Sequence, residues 1–502
     1  MSTAPSESIW LARHRAPILP ELHDTHADVC ILGAGIAGLT CALCLLQEGR
    51  QVRVLEREAI GAGETLRTSA HLANALDDRF WQLEEWFGED GARLAAESHG
   101  AAIDWIERFV RARGLDCGFA RVDGYLFAHG APPEELDREH AAARRAGLRV
   151  ERLDAGLPGV PLGPALRFAD QARLDIDRYL DALAGAVREL GGRIERAKAV
   201  AVEGGDTPRV ELDDGRTLHA RAVVVATNVP FHERVPVHTK IEPYRTYMIE
   251  VEAERGAVPD ALLWDSGDPY HYIRWVGDAL IVGGEDHKVG QPEGEAVLEP
   301  YQALYDWARA HVPGVGALRR RWSGQIIEPV DGLAYIGRDP GHAENVFVVT
   351  GDSGNGLTHG TLAGPLIAAL VQGEAHPWAE LYDPRRKPVR AAREWTRANV
   401  NVAAQFLDWL RGGEAPDVQA LAPGDGAVIR DGIHRVAVHR DSAGHLHAFN
   451  ARCPHIGCAV HWNARETTWD CPCHGSRFAA ATGEVLNGPA PHGLEPVRPP
   501  AP

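Results

Sequence analysis

Lysine and methionine are nearly absent from this 502-residue chain: four of its 52 basic residues are lysine, and methionine occurs twice. That bias is one of lineage composition and points to no function. Positive charge is in deficit as well, with 52 basic residues against 70 acidic ones and a net charge of −18. The deficit excludes a nucleic-acid backbone or an anionic membrane as the main partner. No long hydrophobic run is present. The nearest approach, Val29 to Leu46, is eighteen residues without a charge, but three glycines interrupt it and point to a buried strand, turn and helix, not a membrane span. The first 22 residues carry no charged-then-apolar export signal and no twin-arginine pair, so a soluble, cytoplasmic protein is expected. Scattered cysteines are missing too. Four of the eight lie between 453 and 473, which is metal or redox spacing and not the framework of a small secreted domain.

At this length two or three domains are expected, and 45% apolar with 24% charged residues is ordinary globular composition. Charge and histidine divide the chain. Residues 418–502 hold seven Arg, seven acidic residues and 8 of the 24 His, so the first 417 residues carry all of the net −18. The stretch RGGEAPD at 411–417 reads as a linker. The helical pattern of 392–410 is assigned to the first unit, giving domains at 1–410 and 418–502.

Near the N-terminus, DVCIL (28–32) reads as a buried strand. It runs into Gly33-Ala-Gly35-Ile-Ala-Gly38, then an apolar helix to Gly49, then a strand QVRVLE ending at Glu56. Gly33 permits a tight turn, Gly35 lets a pyrophosphate approach the backbone, and Gly38 lets the helix pack on the sheet. The helix N-terminus offers unpaired N–H groups to phosphate. Glu56, 23 residues after Gly33, is placed to hold ribose hydroxyls. Strand, glycines, helix, strand and acid in this order specify a dinucleotide site far better than the glycines alone.

Further on, ARAVVVATN (220–228) is a second buried strand ending in a polar turn, and NVFVVTGDSGNGLTHG (345–360) is a strand, a Gly-rich turn and a helix start. With WSG…DGLAYIG (322–337), these segments resemble the D-amino-acid-oxidase-like flavoproteins, which include glycine and sarcosine oxidases, over roughly residues 25–375. The resemblance implies FAD, held by Gly33, Gly35, Gly38 and Glu56 and closed over by Gly351, Asp352, Gly354, Asn355, Gly356, Leu357 and Thr358. It lays GETLRTSAHL (63–72) along the pyrophosphate and ring, making Thr68, Ser69 and His71 candidates. His71 is a candidate for covalent flavin attachment, for a non-covalent contact, or for a plain packed histidine. No second complete G-x-G-x-x-G with its own strand, helix and acid is present, so reducing equivalents are expected from an organic substrate and not from NAD(P)H.

The C-terminal region reads Cys453-Pro-His455-Ile-Gly-Cys458, then Cys471-Pro-Cys473-His474-Gly-Ser476. C-x-H followed by C-x-x-H resembles the Rieske family, in which two Cys hold one iron of a [2Fe–2S] cluster and two His the other. The match spans about 425–495 and includes the later loop Gly488-Pro-Ala-Pro491. It implies Cys453, His455, Cys471 and His474 as ligands, a disulfide between Cys458 and Cys473, and ligand histidines at the tip of the domain as its electron port. Respiratory members carry a tyrosine two residues after the serine matching Ser476. Here it is Phe478, and the loss of a hydrogen bond toward ligand sulfur lowers the expected potential. Zinc also uses Cys and His at close spacing, though C-x-H with C-x-x-H suits the iron cluster better. C-P-C-H is one residue short of a haem attachment motif.

The whole chain is thus expected as an α/β FAD-binding Rossmann-like domain with an interleaved α+β substrate domain, followed by an all-β Rieske domain. The family resemblance places a substrate sheet over the flavin. EPYRTYMIE (242–250) and DPYHYIRW (268–275) alternate at strand period, so Tyr244, Arg245, Tyr272 and Arg274 are pocket candidates, with His359 near the flavin; no general base is evident. Joined, the halves imply a small amine or amino-acid-like substrate, hydride transfer to FAD, single electrons to the cluster, and an external acceptor protein. Two alternatives stay open: an NAD(P)H-driven reductase feeding a Rieske-type oxygenase, and a redox-sensing module with a structural cluster.

Overall fold

Fully apolar strands and alternating ones sort into two large sheets. The computed structural model describes residues 7–129, 132–157, 160–232, 237–291, 299–341, 345–410 and 413–500, so residues 411 and 412 of the expected linker lie outside the described residues. The runs His26–Leu32, Val52–Glu56, Thr217–Val225 and Val346–Thr350 end in almost unbroken burial, as strands covered on both faces must. They lie parallel in an eight-stranded sheet whose central order is Tyr335–Arg338, Val346–Thr350, Thr217–Val225, His26–Leu32, Val52–Glu56, Arg193–Arg196. The Val29–Leu46 stretch is divided between the first strand and the helix Ile36–Gln47. Among the described residues no helix is long and apolar enough to cross a membrane. That helix packs against Gly356–Gln372, which is possible because Gly360 and Gly364 carry no side chain: a Cβ there would lie 2.9 Å from Ile36 Cγ2 and 2.6 Å from Thr40 Cγ2.

The second sheet has nine strands. Its longest are Ile241–Glu252 and Leu318–Pro329, paired antiparallel from Ile241↔Pro329 to Tyr247↔Ser323 and beyond. His271–Val276, Ala279–Lys288, Leu262–Asp265, Ala120–Phe127 and Ala165–Arg173 continue it. Its strands come from segments between those of the first sheet, so the two subdomains are interleaved as expected. After residue 417 the described chain is β-structure apart from one 3-10 turn, with a three-stranded sheet over Gly426–Asp431, His434–Arg440 and Leu446–Asn450 and a four-stranded one over His461–Asn463, Thr468–Asp470, Arg477–Ala479 and Val485–Asn487. The helix Ala392–Gln405, assigned from sequence to the first unit, touches both. Asn399 Nδ2 donates to Thr239 O at 2.8 Å, while Val402 packs into the core around Cys458 and Cys473.

Candidate FAD cavity and cluster site

A cavity of about 330 Å³ runs along the C-terminal ends of the parallel strands. Gly33, Gly35, Glu56, Thr68, Ser69, His71, Gly351, Asp352, Gly354, Asn355, Gly356, Leu357 and His359 line it. Gly33 has φ +103°, and a Cβ on it would lie 2.5 Å from Ala226 O; a Cβ on Gly35 would lie 2.9 Å from Thr65 Oγ1. In both places the chain itself fills the space a side chain would need, which is why glycine stands there on the cavity wall. Gly38 does not line the cavity: a Cβ there would collide with Gly33 O, so its role is helix–strand packing. Glu56 Oε2 accepts from Ala34 N at 2.9 Å and Oε1 from Glu58 N at 3.0 Å, and burial raises its pKa. The N-terminal helix Ile9–Arg13 braces the 65–70 segment through Trp10 Nε1, which donates to Thr68 O at 2.7 Å. His71 Nδ1 lies 2.8 Å from Ser69 Oγ, and burial together with the nearby Arg274 pushes its pKa down to about 3, so it is a neutral imidazole.

In the C-terminal region, Cys458 and Cys473 are joined by a disulfide, whereas Cys453 and Cys471 are free thiols in direct contact. The rings of His455 and His474 lie 4.9 Å apart. Two thiols on one side and two imidazoles on the other form the donor set a [2Fe–2S] cluster of mixed ligation requires. Cys458, Cys471 and Cys473 also bring three sulfurs within 4.8 Å, but two of these are spent in the disulfide. Ser476 contacts the Cys453 thiol, and its Oγ accepts from Ala490 N at 3.0 Å, tying the 488–491 loop to the ligand loops.

The family described as FAD dependent oxidoreductase matches residues 28–370, and the Rieske [2Fe-2S] domain matches residues 409–498. The chain belongs to the FAD-dependent oxidoreductase family. Its C-terminal part is a Rieske domain, and the two imply FAD and a [2Fe–2S] cluster as cofactors. A Bacillus subtilis (strain 168) protein named as a Rieske 2Fe-2S iron-sulfur protein, YhfW, is 31% identical over 497 residues, covering 96% of each chain. Gamma-glutamylputrescine oxidoreductase of Escherichia coli (strain K12) is 26% identical over 69% of this chain and 84% of its own. The fold is also that of glycine oxidase from Geobacillus kaustophilus, with TM-score 0.60 and 21% identity over 72% of this chain and 100% of that one.

Several pocket candidates of this oxidoreductase lie elsewhere. Arg245 is 1% exposed and does not line the cavity; its Nη2 donates to Ser323 Oγ at 2.6 Å and to Glu466 Oε2 of the Rieske domain at 2.9 Å. Arg274 is equally buried and holds backbone, donating to the carbonyls of Ser69 at 3.2 Å, Ala70 and Leu174. Tyr244 lies beneath the Lys288 ammonium. Thr358 faces away from the cavity, its Oγ1 2.8 Å from His99 Nδ1. Strand alternation gave Tyr244, Arg245 and Arg274 a face, but not what stands opposite. Tyr272 does line the cavity, its hydroxyl 3.1 Å from Thr246 Oγ1. His359 also lines it, but Nδ1 is committed to Asp352 O at 2.9 Å and burial pushes its pKa down to about 4.

Sequence reasoning missed Asp77, Met248, Tyr270 and Gln325, all on the cavity wall. Asp77 opens onto the cavity, and the protein enclosing it, together with Asp78, pushes its pKa up to about 7, while Asp286, beside Thr246 and Tyr270, is pushed up to about 7 by burial. The paired acids in NALDDRF, set between apolar residues, were the available signal.

The Rieske domain is docked on the flavoprotein domain with its histidine tip turned inward. His455 and His474 are each 7% exposed, and the ring of His238, from the flavoprotein domain, packs 4.7 Å from one and 5.5 Å from the other. Gln325 Nε2 donates to Gly475 O at 3.0 Å, next to ligand candidate His474. A Cβ on Gly290 would lie 2.7 Å from Pro472 N, so the chain there is cleared to admit the cluster loop.

Proposed function

We propose that this oxidoreductase removes a hydride and a proton from a small amine at a C–H beside nitrogen, leaving an imine, and that the two electrons leave singly by way of the Rieske cluster to an external acceptor. When bound, FAD supplies the two-electron step and the cluster, held by Cys453, His455, Cys471 and His474, the one-electron step. The observation that carries this reading is the inward-facing tip: a purely structural or sensory cluster has no need of ligand histidines buried against the domain that binds the flavin. Gln325 bridges the two sites, since it lines the FAD cavity and also holds Gly475.

The substrate end favours an amine over a free amino acid. The two arginines expected to hold a carboxylate do not line the cavity: Arg245 gives its Nη2 to Glu466, and Arg274 is turned to backbone carbonyls. The cavity wall there offers Asp77, Tyr270 and Tyr272 instead. A carboxylate poised to ionise near neutral pH suits an ammonium group. The relative named for gamma-glutamylputrescine supports an amine as well. Anaerobic mixing with a panel of small amines tests this: flavin bleaching followed by a Rieske-type paramagnetic signal is expected. Bleaching by NADH instead, with no amine active, would replace this reading with the reductase one.

A further inference from the structure

We infer that the Rieske domain supplies a wall of the FAD site, so that FAD retention and docking of the domain are a single coupled equilibrium. The cavity that contains the Gly33–Gly35 turn and Glu56 is also lined by Val485, Leu486, Asn487, Gly488, Ala490 and Pro491. No dinucleotide fingerprint includes these residues, and in the sequence they read only as the last strand and loop of the cluster domain.

The wall is held at its nucleotide end by the flavoprotein domain's own binding segment. Arg57, the neighbour of Glu56, donates from Nη1 to Val485 O at 3.3 Å and from Nη2 to Leu486 O. Asn487 Nδ2 donates to Glu64 Oε1 at 2.8 Å, and Glu64 Oε2 in turn accepts from Gln325 N at 2.7 Å. On the far side of the opening Gly488 comes against the carbonyl of Val229, which a Cβ would approach to 3.5 Å. The same loop reaches the cluster through Ala490 N and Ser476 Oγ. One short segment therefore touches the FAD cavity with one edge and the cluster loops with the other.

FAD bound in the cavity contacts this wall only in the docked state. By reciprocity, docking strengthens FAD binding by the same factor by which FAD strengthens docking. The consequence holds whether or not electrons cross between the sites.

The test uses the full chain. Asn487→Ala removes a hydrogen bond to a charged group, so FAD release, followed by recovery of flavin fluorescence, should quicken about tenfold, equivalent to about 1.4 kcal/mol. Iron, labile sulfide and the cluster's paramagnetic signal should stay at wild-type levels. Unchanged release from a folded, cluster-loaded Asn487→Ala protein would overturn the inference. Hydrogen exchange on the wild-type chain decides the matter independently if that variant fails to fold. On loading with FAD, the amides of 485–488 and Ala490 should slow, while those of the distant strand Gly426–Asp431 should not change. Equal exchange at 485–490 with and without FAD would overturn it.

Discussion

Glu466 is the residue on which docking of the Rieske domain should depend most. It sits in the turn between His461–Asn463 and Thr468–Asp470 and reaches into the flavoprotein domain. There its carboxylate accepts from Arg245 at 2.9 Å, Ser323 at 2.7 Å and Tyr301 at 3.1 Å, with Arg477 of its own domain 3.6 Å away. The side chains of Arg245 and Glu466 are 2% and 11% exposed, so the pair is largely out of water. Glu466→Ala leaves the Arg245 guanidinium buried without its counter-charge, which costs about 3–5 kcal/mol. Glu466→Gln keeps shape and some hydrogen bonds and should cost less, about 1.5–3 kcal/mol. The double variant Arg245→Met/Glu466→Leu should recover much of the loss, because no unpaired charge remains. Acid provides a second perturbation. Burial opposes ionisation of Glu466, but Arg245 and Arg477 outweigh it and hold the pKa at about 2, against 4.5 for the free carboxyl. A depressed carboxyl contributes stability that is complete above its unfolded value and lost as it is protonated, here about 3 kcal/mol lost as pH falls from 4.5 toward 2. Thermal unfolding read by flavin fluorescence and by the cluster's visible absorbance checks both. For Glu466→Ala the cluster-domain transition should separate and move to lower temperature, and stopped-flow transfer from flavin to cluster should slow. If Glu466→Ala unfolds at the wild-type temperature in one step, with unchanged transfer, the buried pair is not what holds the domains together.

At the substrate end, Asp77 ionises as pH rises through about 7, so the affinity for an ammonium substrate should rise with it. KM for an active amine should fall roughly tenfold between pH 6 and 8, and Asp77→Asn should flatten that profile with little change in kcat; a wild-type profile in the variant would remove Asp77 from the binding role. In the cluster pocket, Phe478 is fully buried two residues beyond Ser476. Phe478→Tyr, restoring one hydrogen bond toward ligand sulfur, should raise the cluster's midpoint potential by about 40 mV, equivalent to about 1 kcal/mol for one electron. A titration showing no upward shift would mean that the hydroxyl does not reach the sulfur.

Much of the architecture was legible because its signals are local. Gly33, Gly35, Gly38 and Glu56 fall within one strand–helix–strand unit, and the ligand candidates with their disulfide partners fall within two short loops, so spacing along the chain stands in for distance. The substrate end was harder to read. Arg245 lies on the strand the pattern identified, but its partner Glu466 is 221 residues away in the other domain. Thr358 belongs to the right turn, yet one residue of helical rotation separates it from Leu357 and His359, which line the cavity while it does not. Val485 to Pro491 carry no mark of a nucleotide contact, because their relation to the cavity exists only where the C-terminal region packs on the flavoprotein domain.

The burial of the four cysteines sets an order of assembly. Cys453, Cys458, Cys471 and Cys473 are each at most 2% exposed, beneath loops that His238, Pro243 and Gln325 of the flavoprotein domain cover. Any carrier of iron and sulfide, and any oxidant that closes the Cys458–Cys473 bond, must reach those sulfurs directly. In the docked molecule the route is shut. Maturation of the Rieske domain is therefore expected to precede its closure onto the rest of the chain, and a chain that closes early should load its cluster poorly.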